Sequence, residues 1–278
     1  MKKYQVVIQS LVLGGIAVLV TQIGYSGVPL NNLEGVGGVA FNPLAYPAGQ
    51  NKDAAATNTL DNIVSKPQFG VWYVNLSDVH VDWTAIGAAL TLFERLELSY
   101  GYEVIAPTGH NIKKSNVGAK LLLLPENIGG YKFIPAVSAG AIWKYTTPTA
   151  NADSSGSDYY IVATKLVTEL PLPVLLSAGA LSTKGRATGV FGYDDDRDIT
   201  GFANVDVLPL SNVAVGVEYK QGAHFSDFKN ADYWDAHVAW LANKNLSLVG
   251  AYVNAGDEES TTTAGLGNGV VLSAQYAF

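Results

Sequence analysis

The chain has 278 residues, with 24 acidic and 17 basic side chains, a formal charge of −7 and no cysteine. The acid excess excludes the clustered Lys and Arg that nucleic-acid binding needs, and the lack of thiols excludes disulfides, thiolate metal sites and cysteine nucleophiles. A composition with 29 Gly and 15 Tyr but only 15% charged residues fits a barrel or large sandwich of short strands.

Residues 1–26 read as an export signal. Lys2 and Lys3 form a basic start, Val6 to Val20 is an apolar run shorter than the roughly 20 residues a membrane helix needs, and Gly24 and Ser26 flank Tyr25 before a cleavage point. Residues 27–67 follow with no sustained alternation. Gly35-Val36-Gly37-Gly38 is glycine-rich, Pro43 and Pro47 interrupt, and Gln50 to Asn62 is polar. Two readings stay open for this segment: a partial plug folded into a barrel lumen, with Glu34 meeting a lumen cation, or an added strand pair.

From residue 68 onward the pattern has period 2. Leu96, Leu98, Tyr100, Tyr102 and Val104 oppose Glu97, Ser99, Gly101 and Glu103, and Val213, Val215, Val217 and Tyr219 oppose Ala214, Gly216, Glu218 and Lys220. A helix would need period 3.6. Strands are expected near 68–76, 83–92, 96–106, 115–124, 133–145, 157–168, 173–184, 198–207, 212–221, 232–241, 245–255 and 266–278. Short turns at 94–95, 170–173, 208–212 and 242–245 alternate with longer polar connections at 107–114, 146–158, 185–198, 222–232 and 256–266. That asymmetry is the one outer-membrane barrels show between periplasmic turns and outer loops. The expected fold is therefore all-β: a transmembrane, antiparallel, up-and-down β-barrel of about 12 strands over residues 68–278, or 14 if residues 27–67 join the wall. No later run supplies a membrane-spanning helix.

The polar side of the alternation gives a set of expected lumen residues: Glu97, Glu103, Lys120, Lys144, Lys165, Asp206, Glu218, Lys220 and His237. Charges are kept inward because one on the lipid face costs up to about 2–4 kcal/mol near the bilayer midplane. Either they select a passing solute, or they pair with one another and fill the interior, since about eight strands make a filled barrel and about sixteen an open one. Acids at Asp153, Asp158, Asp194, Asp195, Asp196, Asp198, Asp227, Asp257, Glu258 and Glu259 read as solvated charge on outer loops. The aromatics Trp72, Trp83, Trp143, Tyr145, Trp234, Trp240 and Tyr252 read as interfacial belt residues, with Tyr73 an alternative lumen stacking site.

Catalytic signals are missing: no G-x-S-x-G elbow, H-E-x-x-H or phosphate-binding glycine loop occurs, and His80, His110, His224 and His237 are dispersed. A Ser99–His237 pair across a lumen is the one arrangement left open. The sequence points to no enzyme, no cofactor and no metal. It favours a narrow or gated passive channel for small solutes in the outer membrane, with a non-transporting structural or surface-interaction barrel as the alternative. Outer-membrane lipid and a small solute are the expected partners.

The final strand runs Val270-Val271-Leu272-Ser273-Ala274-Gln275-Tyr276-Ala277-Phe278. Its alternation ends on an aromatic, and Tyr276 and Phe278 resemble the signal by which Gram-negative outer-membrane barrels are passed to their assembly machinery. Beyond this strand, Asn32-Leu33-Glu34-Gly35-Val36-Gly37-Gly38, Leu92-Phe93-Glu94-Arg95-Leu96-Glu97-Leu98-Ser99, Val117-Gly118-Ala119-Lys120-Leu121, Val215-Gly216-Val217-Glu218-Tyr219-Lys220, Tyr233-Trp234-Asp235-Ala236-His237-Val238-Ala239-Trp240 and Asn243-Lys244-Asn245-Leu246-Ser247-Leu248 occur in order. Together they resemble an uncharacterised family of Gram-negative outer-membrane proteins known as a domain of unknown function. The resemblance implies an outer-membrane barrel and lends no substrate or catalytic residue.

Overall fold

The computed structural model describes residues 30–49, 63–107, 111–149, 152–256 and 264–278. The expected export signal at 1–26, His110 and the loop acids Asp257, Glu258 and Glu259 lie outside the described residues.

Twelve antiparallel strands close into one barrel. In chain order they are β1 Gln68–Leu76, β2 Val81–Leu92, β3 Leu96–Ala106, β4 Ile112–Leu124, β5 Ala136–Thr147, β6 Ser155–Val167, β7 Val174–Gly185, β8 Tyr193–Leu210, β9 Val213–Lys220, β10 Tyr233–Leu241, β11 Leu246–Asn254 and β12 Asn268–Ala277. Each pairs with its sequence neighbours, and β1 closes on β12 from Gln68↔Ala277 to Leu76↔Gly269. Closure leaves no edge strand exposed for intermolecular pairing, which explains how an apolar C-terminal strand is tolerated. It also removes the fourteen-strand alternative: β12 meets β1 directly, so residues 35–46 are not in the wall.

Alternation decides which side chain faces which solvent. On β12, Val270, Leu272, Tyr276 and Phe278 are exposed, whereas Val271, Ser273, Gln275 and Ala277 are buried. The same parity runs around the wall: Val117, Leu121, Ile161, Val215 and Val238 point out, and Glu97, Lys120, Glu218 and His237 are buried inside. An outward apolar band over an inward polar face is what a strand between lipid and a polar interior requires. Connections at 93–95, 125–135, 168–173, 211–212 and 242–245 share one end with the start of β1, and the other end carries the two longest, 221–232 and 255–267; the expected asymmetry is broken by 125–135 at the first end and by the tight 77–80 turn at the second. The described part of the molecule has no helix long and apolar enough to cross a membrane.

Two of the expected belt aromatics lie on the other face. Trp143, Tyr145, Trp234, Trp240 and Tyr252 are outward and exposed, but Trp72 and Trp83 are buried on the inner face with Val74, Leu76, Val253 and Val271. The reason is parity: Trp72 and Trp83 share the inner face of Gln68, Val74, Val81 and Ala85. Conversely, Tyr73 faces out, and its hydroxyl donates to Asp82 at 2.6 Å, so it is not a lumen stacking site.

Candidate functional site: the barrel interior

Residues 30–49 run through the interior, folded on themselves by the bridges Asn31↔Gly37 and Gly38↔Pro43. A chain inside a barrel must satisfy its backbone groups from the inner wall, because little water reaches them. The wall supplies those partners. The Glu97 carboxylate accepts the N–H groups of Gly37 (2.9 Å) and Ala48 (2.7 Å), and the Glu218 carboxylate accepts those of Ala40 (3.2 Å) and Phe41 (2.7 Å). Thr164 accepts from the Ala45 N–H at 2.8 Å, and Gln275 accepts from Asn31. Ser138 and Thr91 donate to the carbonyls of Ala45 and Ala48.

Lys120 is the densest contact. Its ammonium donates to the carbonyls of Gly37, Leu44 and Tyr46 at 2.9–3.0 Å and pairs with Glu97 at 2.8 Å. Three carbonyls and one carboxylate around one buried cation compensate its lost hydration. Close approach is allowed by inward glycines on β2 and β3, which lie opposite one another as Gly87↔Gly101. A Cβ at Gly87 would stand 2.8 Å from the Gly35 Cα, and one at Gly101 would collide with the Glu34 carbonyl. Any larger residue at either position would push the segment off this wall.

Glu34 joins the segment to a buried ion network. Its Oε1 accepts from Lys114 (2.8 Å) and from Lys144. Lys114 also pairs with Glu103 at 3.0 Å, and Lys144 with Asp158 at 2.6 Å. Burial alone would push the Glu34 carboxyl up, but the two ammonium groups outweigh it and hold the group well below the usual carboxylate range.

The far wall is built differently. His237 Nδ1 and Nε2 each lie 2.7 Å from a carboxylate oxygen, of Asp235 and Asp206 respectively, and Asn204 donates to Asp206 at 3.0 Å. With both ring nitrogens engaged, His237 cannot serve Ser99 as a general base, so the Ser99–His237 pairing is not formed. No group of three or more His, Asp or Glu suited to a metal ion occurs among the described residues.

Of the residues expected in the lumen, Glu97, Glu103, Lys120, Lys144, Asp206, Glu218 and His237 are buried on the inner face, and Lys220 is half-buried there. Lys165 is not on that face. It shares the outward parity of Tyr159 and Ile161, and near the end of β6 its ammonium reaches Glu126 (2.9 Å) and Asn127 (2.7 Å) of the 125–135 turn. A long lysine near a strand end escapes lipid this way. Asp158, read as an outer-loop acid, is instead an inner-face residue of β6 paired with Lys144. Lys114 is found by continuing the alternation of β4 one residue before 115, Asp235 shares the inward parity of His237 within the expected strand 232–241, and Asp158 lies within 157–168 on the parity opposite to Lys165.

At the outer end, the connection after β7 folds inward. The Ala187 N–H donates to the Asn230 side chain at 2.6 Å, and Arg186 bridges Asp194 (2.6 Å) and Asp227 (3.0 Å). Partial burial alone would lower the Arg186 pKa, but those carboxylates raise it. Tyr276 and Phe278 lie outward at the β1–β12 seam, with the Phe278 ring edge-on to Phe69 and Tyr276 at 5.7 and 5.0 Å between centroids.

The family model described as "Protein of unknown function (DUF3034)" matches residues 27–275, both the inner segment and the wall. The chain belongs to this family. No curated protein sequence matches it significantly. Among solved structures, a KdgM porin is similar with 13% identity over 76% of this chain and 99% of that one, at a TM-score of 0.50. A KdgM porin in complex with disordered oligogalacturonate gives the same identity and coverage at 0.51. The NanC porin gives 12% identity over 76% of this chain and 98% of that one, at 0.46. At such identities the likeness extends to the fold: this DUF3034 chain has the barrel architecture of outer-membrane porins.

Proposed function

We propose that this protein is an outer-membrane conduit for the passive passage of small solutes, narrowed by its own residues 30–49 acting as a plug. The observation that carries the reading is the inner face. Its charges of both signs bind an inserted chain segment through side chains and backbone groups of several strands, beside two apolar clusters that take in Leu33 and Ala40 on one side and Val36 and Ala45 on the other. The polar inner wall left when the segment is out is one that water can solvate, which suits a conduit better than a wall that is apolar throughout. The KdgM porin solved with an oligogalacturonate supports a solute-bearing lumen in a barrel of this shape.

On this reading residues 1–26 are removed on export, and Tyr276 and Phe278 are read by the assembly machinery. The alternative, a barrel without transport, draws on the near-complete pairing of Lys114, Lys120, Lys144, Glu97 and Asp158, as in a packed interior. Planar-bilayer recording on the purified, refolded chain separates them. Discrete current steps support the conduit, while background current at every voltage, with the segment present and with it removed, supports the alternative.

A further inference from the structure

The interior outside the plug holds an open-mouthed cavity bounded below by Phe41 of the segment. Its other walls are the outer ends of β1, β2, β10 and β11, where Val74, Leu76 and Val253 give it an apolar lining. Two hydrogen-bond donors in this lining, the Trp83 Nε1 and the Tyr233 hydroxyl, are buried without a partner, and the half-buried Lys220, with no ion pair or hydrogen bond among the described residues, faces the same space. A smaller cavity shares Lys220 and Tyr233 and adds the unpartnered, buried Thr200 hydroxyl.

The buried lysines Lys114, Lys120 and Lys144 each have at least one carboxylate within 3.0 Å. The half-buried Lys220 has none among the described residues. Leaving buried donors unmade costs about 1–3 kcal/mol each, so a cluster of them around one apolar space marks a seat for an acceptor. The charged groups lining the cavity are Lys114, Lys220 and Glu34, which sum to one positive charge. Glu34 already accepts from Lys114 and Lys144. An ammonium, a phenol and an indole N–H are all donors, so their common ligand carries an acceptor head, and the aliphatic and aromatic walls call for an apolar body.

We infer that this outer cavity binds a small amphipathic monocarboxylate, with its carboxylate at Lys220 and Tyr233 and its apolar body against Val74, Leu76 and Val253. The site deepens the conduit reading, on which it rests, by naming the class of solute captured before passage. The carboxylate supplies the acceptor that Lys220 lacks, and the walls discriminate against acids with no apolar body. A cation would face the net positive charge of Lys114 and Lys220 against Glu34 alone.

The test is calorimetric titration of the detergent-purified full-length barrel with benzoate, acetate, benzyl alcohol and benzylamine, using wild type, Lys220→Gln and Tyr233→Phe. Heat-modifiable gel mobility establishes that each variant is assembled. Benzoate is expected to bind saturably, about tenfold more weakly to Lys220→Gln, which is the worth of one charge-assisted hydrogen bond. Tyr233→Phe should weaken it severalfold, and the other three compounds should not saturate. Absent benzoate binding, equal affinity in Lys220→Gln, or equal binding of benzylamine or benzyl alcohol would overturn the site. Liposome flux of benzoate separates the two ideas: binding without flux refutes the conduit and keeps the site, and flux without saturable binding refutes the site and keeps the conduit.

Discussion

The two inner walls of this barrel hold the same segment by different chemistry. On β3 to β5, Lys114, Lys120 and Lys144 stand beside Glu97 and Glu103, and the segment enters the network through Glu34 and through three carbonyls on Lys120. On β8 to β10, Asp206, Glu218 and Asp235 surround His237, and the segment is held by two N–H groups on Glu218 and by Asn42, which donates to the carbonyls of Ala203 and Tyr219. Charge-assisted bonds between buried partners are the stronger kind, and the first wall has more of them. The lysine wall makes more charge-assisted contacts to the segment than the acidic one, so on the plug reading release is expected to begin at β8 to β10.

The largest single-residue effect is expected at Lys120. Lys120→Met strips four interactions and leaves Glu97 buried without its cation, a loss on the order of 3–5 kcal/mol in docking of the segment. Limited proteolysis of outer-membrane fragments should then cut within residues 30–49 while the barrel keeps its heat-modifiable mobility. Continued protection would mean that the lysine wall is not the anchor.

A smaller effect is expected across the lumen. Glu218→Gln keeps an acceptor but loses its charge, which should weaken docking by about 1 kcal/mol. The same protease assay should show only a modest gain in cleavage. If this variant releases the segment more readily than Lys120→Met, the order of the two walls is reversed.

Acid tests the Glu34 link. A carboxylate whose pKa is depressed by folding stabilises the docked state above its unfolded pKa of about 4.3, and that contribution is lost only as pH falls through the lower folded value. Since Lys114 and Lys144 hold Glu34 well below the ordinary range, lowering the pH from 7 to 4 should leave single-channel conductance of wild type unchanged. A rise in conductance over that interval that is absent from Glu34→Gln would show that Glu34 is not held in its ionised form. The smallest effect is expected at Lys165, whose partners Glu126 and Asn127 belong to the 125–135 turn outside the lumen. Lys165→Ala should leave conductance as it is, and a change in ion selectivity would return Lys165 to the lumen.

Period-2 alternation made the strands legible because every residue of a barrel wall must choose between lipid and interior. The choice blurs at strand ends, where a side chain can reach solvent from either face. That is why Lys114 and Asp158 read as loop residues, and why Lys165, in the weakly alternating Ala163-Thr164-Lys165-Leu166-Val167, read as inward. Trp72 and Trp83 were misread for another reason. Aromatics near strand ends suit an interfacial belt, but parity puts these two among inner apolar residues at the outer mouth. The pairing of Glu34 with Lys114 and Lys144 spans 80 and 110 residues of sequence, beyond any local pattern. Its trace was the inward glycines Gly87 and Gly101, which mark a wall another backbone must approach.

The central claim is that residues 30–49 set the permeability of an otherwise intact barrel. The most direct measurement is single-channel conductance of the mature chain beside a variant lacking residues 28–62, both verified as assembled by heat-modifiable mobility. The account predicts a larger conductance in the deletion variant, with the twelve-strand barrel retained. Equal conductance in the two, or no current in either, would contradict it.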